Sequence, residues 1–154
     1  MSVEVRAAKI DEADAVVPLY EWLFAPPGGR PPQWDPEVAA GRLREAIAAT
    51  GSIVLLAADL DRFVGVCTAY LDLHSVRFGR RCWVEDLAVD PERRSQGIGK
   101  ALLAAALDWA AANGASHLEL DSGMERTDAH RFYDREGANR RSICFGWDPL
   151  GGPG

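Results

Sequence analysis

Several large classes of protein are excluded by what this chain has little of. It carries three cysteines in 154 residues. Cys67, Cys82 and Cys144 form no CxxC pair, and no histidine stands near them at ligand spacing, so neither a disulfide framework nor a bound metal is expected. Cys67 and Cys82 fall in strand-like runs, where an inert buried thiol is the ordinary outcome. No apolar run approaches the ~20 residues that cross a bilayer, so no membrane partner is expected. Residues 1–10 include Glu4 and Lys9 in place of the apolar stretch of a secretory leader, which makes a cytoplasmic location the expectation. Basic residues are the minority, 17 Lys and Arg against 23 Asp and Glu, a net charge of −6. Holding nucleic acid by its phosphates needs the opposite balance, so no nucleic-acid partner is expected. Repeats and low-complexity tracts are missing too, and 47% of the residues are hydrophobic, too many for a disordered chain. The expectation is one domain over residues 1–150 followed by a flexible tail at 151–154.

The patterns that are present alternate between strand and helix. Val3 to Ala7 reads as a strand, and Asp11 caps a helix to about Phe24 with Val16, Leu19, Tyr20 and Leu23 at helical spacing. Residues 25–34 contain four prolines and two glycines and are an irregular loop. Asp35-Pro36 supplies a cap and a first helical residue for a helix ending near Thr50-Gly51. Three strand patterns follow, SIVLLAA (52–58), RFVGVCTAYLDL (62–73) and RRCWVEDLAV (80–89). A helix from Gly97 to Ala112 is apolar nearly all round and stops at Asn113-Gly114. HLELD (117–121) is a strand, Thr127 to Glu136 a helix, and RRSICFGW (140–147) a last strand. The fold class is α/β, in the order β-α-α-β-β-β-α-β-α-β around one mixed central sheet.

The junction before the long helix carries the chemistry. In Arg94-Ser95-Gln96-Gly97-Ile98-Gly99-Lys100, glycines at 97 and 99 let a ligand approach the backbone. The unpaired amides of the first helical turn, with the positive end of the helix dipole, favour a phosphate there. The P-loop pattern is absent, and GxGxxG would need a glycine where Leu102 stands. Arg77, Arg80, Arg81, Arg93, Arg94 and Lys100 lie within 24 residues. Such local positive charge in an acidic chain suits a compact polyanion, or is simply a solvated surface.

VEDLAVDPERRSQGIGKALL (84–103) and AHRFYDREGA (129–138) together resemble the signature blocks of the GNAT superfamily of N-acetyltransferases. The resemblance implies the GNAT-like fold and direct transfer of an acetyl group from acetyl-CoA to a primary amine. It implies that the backbone of Leu87, Ala88 and Val89 binds the thioester carbonyl and the pantetheine arm. It implies further that Arg94, Ser95, Gln96, Gly97, Ile98, Gly99 and Lys100 bind the pyrophosphate, and that Tyr133 protonates the departing thiolate. A phenol of pKa ~10 is protonated at pH 7 and can donate to a thiolate whose conjugate acid titrates near 8.5. Two departures stand out: the family's cofactor-contacting Asn is replaced by SGMERTD, where Arg126 or Ser122 could substitute, and Ala138 stands where Phe or Tyr is commoner.

Strand alternation places Trp83, Glu85, Leu87 and Val89 on one face, with Val84, Asp86 and Ala88 on the other. Glu85 matches a position where some relatives keep the catalytic base, and Glu119 matches one that others use. His130 could line the site or serve structure. The acceptor side would be built from Tyr20, Trp22, Phe24, Trp34, Asp72, His74 and Arg77, with a small-molecule amine or a protein amine as acceptor. The alternative reading is a non-catalytic acyl-CoA-binding or sensing module. The open edge left by the last strand is one that a second copy could cover, giving a homodimer.

Overall fold

The computed structural model describes residues 2–72 and 75–148. The expected tail at 151–154 and His74 lie outside the described residues. Strands β1 (Val3–Ala7), β2 (Ser52–Asp59), β3 (Arg62–Leu71), β4 (Arg81–Val89) and β5 (His117–Glu119) form one sheet in that spatial order. The first four are antiparallel, and β5 runs parallel to β4. The helices are α1 (Ala13–Val16), α2 (Glu21–Phe24), α3 (Pro36–Ala48), α4 (Ile98–Ala112) and α5 (Thr127–Arg135).

Both faces of the sheet are covered, which is why β2 and β3 read as nearly continuous apolar runs. On one face Val54, Leu56, Val66 and Ala88 pack with Val16 and Leu43 of α1 and α3. On the other Leu55, Cys67, Cys82 and Val84 pack with Ile98, Leu102 and Ala106 of α4. Burial pushes the Cys67 thiol up to about 12 and the Cys82 thiol up to about 11, as expected for inert core cysteines. The sheet admits α4 closely because β3 has a glycine under it. A Cβ on Gly65 would lie 2.9 Å from Leu102 Cδ1 and 3.1 Å from Ile98 Cγ2.

The expected helix from Asp11 to Phe24 is a chain of short pieces. Two 3₁₀ turns, Ile10–Glu12 and Val17–Tyr20, alternate with α1 and α2. Pro18 lacks the N–H that a continuous helix would need at that position. The start also lies earlier than Asp11, since Glu12 accepts the Lys9 N–H at 2.8 Å while pairing with Arg6. Helix α3 begins as read, with Asp35 Oδ1 accepting the Glu37 N–H at 2.9 Å and Pro36 in the first turn.

Two features of the sheet depart from the sequence reading. Thr68 pairs with Asp86 and Ala69 with Val84, so Glu85 is an extra, unpaired residue in a β-bulge. The bulge reverses the alternation: Val84 and Leu87 both face α4, whereas Ala88 belongs to the opposite core and Asp86 reaches Tyr20 on that side. Glu85 and Leu87 therefore do not share a simple strand face. The second departure is the last element: residues 139–148 have no regular structure, so RRSICFGW is not a strand here. Strand β5 likewise ends at Glu119, two residues before the expected Asp121.

Candidate active site

Strands β4 and β5 pair over three residues, Arg81–Trp83 against His117–Glu119. Beyond Trp83, where the bulge turns β4, the two segments part and leave a cleft of about 300 Å³. Val84, Glu85, Asp86 and Leu87 form one wall and Leu120, Asp121, Ser122 and Gly123 the other. Helix α5 contributes Ala129 and Tyr133, with Arg126 as its N-cap, and the chain around α2 contributes Leu23, Phe24 and Gly29. The proline-rich loop is held by ring packing: Trp34 lies 4.8 Å from Phe24, edge to face, and 5.6 Å from Tyr20. The Arg126 guanidinium donates to the Leu23 carbonyl at 3.0 Å and so ties α5 to the α2 side of the cleft.

Tyr133 lines the cleft and is half-buried, and burial raises its phenol above the ordinary 10.0; nearby Cys67 adds to the shift and Arg126 opposes it. Glu85 is exposed at the rim, where its carboxylate accepts the Trp83 indole N–H at 3.0 Å. Asp86, which the sequence reading passed over, is the more enclosed carboxylate. Its Oδ2 accepts from Tyr20 at 2.7 Å and from Thr68 at 2.6 Å. Burial and the Asp86 carboxylate both push the Tyr20 phenol up, so it remains a donor. Its neighbours in sequence, Glu85 and Leu87, gave little signal, and its partners come from segments 66 and 18 residues away.

Glu119, the other candidate base, is not among the cleft residues. It is held by His117 at 2.8 Å, Arg81 at 3.7 Å and Arg140 at 3.8 Å. Asp72 pairs with Arg81 and Arg77 lies over the Phe78 ring, so neither is placed in the cleft. His130 bonds the Gly123 carbonyl at 3.0 Å, a structural role in closing the turn before α5.

The glycine turn lies at the other end of β4. Buried Asp90 closes it, accepting the Glu92 N–H at 3.0 Å and pairing with Arg62 at 3.0 Å. Arg93 reaches Asp59 at 2.8 Å and the Gln96 side chain at 3.0 Å. Ser95 and Gly97 have φ of +63° and +80°, left-handed values that curl the backbone amides toward one side. Ala101 is bonded back to Gly97 O at 3.0 Å, and the amides of Ile98, Gly99 and Lys100 precede the first intrahelical bonds. Apart from the adjoining backbone, no atom of the described residues stands within 4 Å of where a Gly97 Cβ would be, so space above the turn is open. A Cβ on Gly99 would lie in ordinary contact with the Phe132 ring, at 3.4 Å, and with Val89. The Ile98 side chain is a core residue, and the Ala88 side chain is buried in the core on the other face. Only their backbone groups remain for a ligand.

Of the residues singled out by sequence, the cleft therefore gathers Glu85, Leu87 and Tyr133, with Phe24 from the acceptor side and Ser122 and Arg126 from the segment that replaces the family's Asn. Arg94, Ser95, Gln96, Gly97 and Lys100 are exposed together at the start of α4. The two groups are joined through Val89 and Phe132, both of which pack at Gly99 while Leu87 and Tyr133, their neighbours in β4 and α5, line the cleft. The residues fit an extended acyl carrier with an anionic end: a glycine turn with open space, and a buried Ser122 Oγ in the cleft with no partner among the described residues.

A split sheet with a bulged strand, a glycine turn and a tyrosine-bearing helix defines an acyl-carrier-dependent acetyltransferase architecture. The family model for the acetyltransferase (GNAT) family matches residues 16–138, and the chain belongs to that family. It is similar to the uncharacterised N-acetyltransferase YhfO of Bacillus subtilis (strain 168), 30% identical over 138 residues, covering 88% of this chain and 89% of that protein. The aminoalkylphosphonate N-acetyltransferase of Salmonella typhimurium is 39% identical over 82 residues, 53% of each chain. Two of the curated relatives are thus matched over about half their own length. Among solved structures, the aminoglycoside N-acetyltransferase AAC(6')-Iy in complex with CoA has a TM-score of 0.83 at 16% identity, covering 97% of this chain and 95% of that one.

Proposed function

We propose that the protein acetylates a primary amine of a small molecule, taking the acetyl group directly from acetyl-CoA. The observation that carries this reading is the run of β4 from the cleft, at Leu87 opposite α5, to the open turn at Gly97. The thioester lies along Leu87, Ala88 and Val89, whose backbone groups hold the carbonyl as negative charge develops on it. The diphosphate rests on the amides of Gly97, Ile98, Gly99 and Lys100, flanked by Arg94, Ser95 and Gln96. The acceptor enters from the α2 side, where Asp86 attracts its ammonium group.

In the reaction the amine nitrogen bonds to the acetyl carbon and the carbon–sulfur bond breaks. The ammonium first loses a proton through water to Glu85, which makes the nitrogen a nucleophile. Its second proton leaves to water as the amide forms, and Tyr133 gives its proton to the departing sulfur and is reprotonated from solvent. A small amine is favoured by a cleft of about 300 Å³ and by the names of relatives that act on aminoalkylphosphonates and aminoglycosides.

The test is calorimetric titration with acetyl-CoA, followed by thiol release against a panel of aminoalkylphosphonates, amino sugars and polyamines. Tyr133→Phe should lower turnover about a hundredfold or more with acetyl-CoA affinity retained. A group with a raised pKa keeps its acid form until pH climbs through that value, so Tyr133 should cause no alkaline loss of activity below about pH 10. Binding without amine-dependent thiol release across the panel would favour the sensing module, and absence of binding would refute both readings.

A further inference from the structure

We propose that Arg126 determines acceptor specificity by pairing with an anionic group of the acceptor, which is therefore a short zwitterion: an amine that also carries a carboxylate or a phosphonate. This inference rests on the reading of the cleft as an acetyltransferase site and names its substrate class. Arg126 lines the cleft and is half-buried. Its guanidinium reaches across to the α2 side, where it donates to the Leu23 carbonyl at 3.0 Å. Gly28 leaves room for it there, since a Cβ on Gly28 would collide with both the guanidinium and that carbonyl. The head group is thereby fixed on the side from which the acceptor enters, away from the glycine turn that takes the diphosphate.

The charge that Arg126 brings is not neutralised among the described residues. A carbonyl satisfies one of its five N–H groups and leaves the positive charge without a counter-charge. The carboxylates of the cleft are committed elsewhere: Glu85 accepts from Trp83 at 3.0 Å, Asp86 from Tyr20 at 2.7 Å and Thr68 at 2.6 Å, and Asp121 from the Cys144 thiol. Withdrawing a guanidinium from water without a counter-ion is costly, and an anion that arrives with the ligand removes that cost. The planar fork suits a carboxylate or phosphonate, which can take two of the remaining N–H groups at once.

The rest of the lining states what else the ligand must carry. Glu85, Asp86 and Asp121 all line the same cleft. They repel an acceptor that is only anionic, and Arg126 repels one that is only cationic. One charge of each sign meets both conditions, with the ammonium toward Asp86 and the anionic group on Arg126. The charge of the guanidinium is also felt at the Tyr133 phenol. The anionic group therefore lies near the reacting end, and the acceptor is short, as a cleft of about 300 Å³ also requires.

The test is kcat/KM from thiol release, measured with β-alanine, 4-aminobutyrate and 2-aminoethylphosphonate against β-alanine amide, ethanolamine and putrescine. The native protein should favour at least one zwitterion over the neutral and dicationic amines by about tenfold or more. Comparison among the zwitterions separates a carboxylate site from a phosphonate site. Arg126→Gln should bring the ratio of zwitterion to neutral amine close to one, and Arg126→Lys should keep part of it. Because the ratio is taken within each variant, a general loss of stability or turnover cancels. Acetyl-CoA affinity, read by calorimetry, should stay within a few-fold of native in both. A native ratio near one, or a ratio unmoved by Arg126→Gln, would overturn this inference alone. A loss of acetyl-CoA affinity with the ratio intact would do the same, by giving Arg126 to the carrier. Absence of thiol release with every amine would overturn it together with the acetyltransferase reading.

Discussion

Gly97 can separate what the fold requires of the turn from what the ligand requires. Its φ of +80° and ψ of 8° are left-handed, and a Cβ there would meet nothing within 4 Å among the described residues beyond the adjoining backbone. Substitution therefore costs backbone energy without a clash, roughly 1–2 kcal/mol for alanine and less for asparagine, which tolerates this conformation. In a chain of this length that is a fall in Tm of roughly 2–8 °C. The ligand ranks the same substitutions differently. A glutamate carboxylate ~5 Å from a diphosphate charge, at an effective dielectric near 20, is opposed by about 3 kcal/mol, more than a hundredfold in Kd. Alanine and asparagine add only bulk above the amides and should weaken binding less. Thermal unfolding should therefore place asparagine closest to the native protein, whereas calorimetry with acetyl-CoA should place glutamate far below both others. If Gly97→Glu bound acetyl-CoA as tightly as the native protein, the turn would not be the diphosphate site. If affinity merely followed stability through the series, the turn would be a fold element alone.

Two further expectations follow from the site's surroundings. Gly65→Ala forces a methyl to 2.9 Å from Leu102 Cδ1 under fully buried α4 side chains. It should destabilise the protein by about 1–3 kcal/mol, and an unchanged urea midpoint would show that α4 can lift from the sheet. Asp86→Asn keeps an acceptor for Tyr20 and Thr68 but removes the charge, so it should raise KM for a cationic amine with the fold intact. Glu85→Gln, at the exposed rim, should instead lower kcat and shift the acid limb of the pH profile. Identical effects of the two would argue against separate roles.

Much of this protein was legible along the chain. The Asp35-Pro36 helix start, the Asn113-Gly114 stop and the buried strands depend on a few adjacent residues, and each appears where the local pattern puts it. The glycine turn and Tyr133 were recognisable because their spacing is itself the signature, and the family match confirms the class those residues indicated. What the chain alone did not disclose are relations across the sheet. The extra residue at Glu85 exists only against Thr68 and Ala69 of the neighbouring strand, and a bulge leaves no mark in one strand's own alternation. Asp86 acquired its place from Tyr20 and Thr68, distant in sequence. The segment 140–147 has a strand's pattern without a strand's structure, because a period-2 row of apolar residues expresses a propensity and does not supply a neighbouring strand to pair with. Local propensity and motif spacing determined the elements and the reaction class. Pairing register and packing decided how enclosed each cleft carboxylate is and which segments line the cleft.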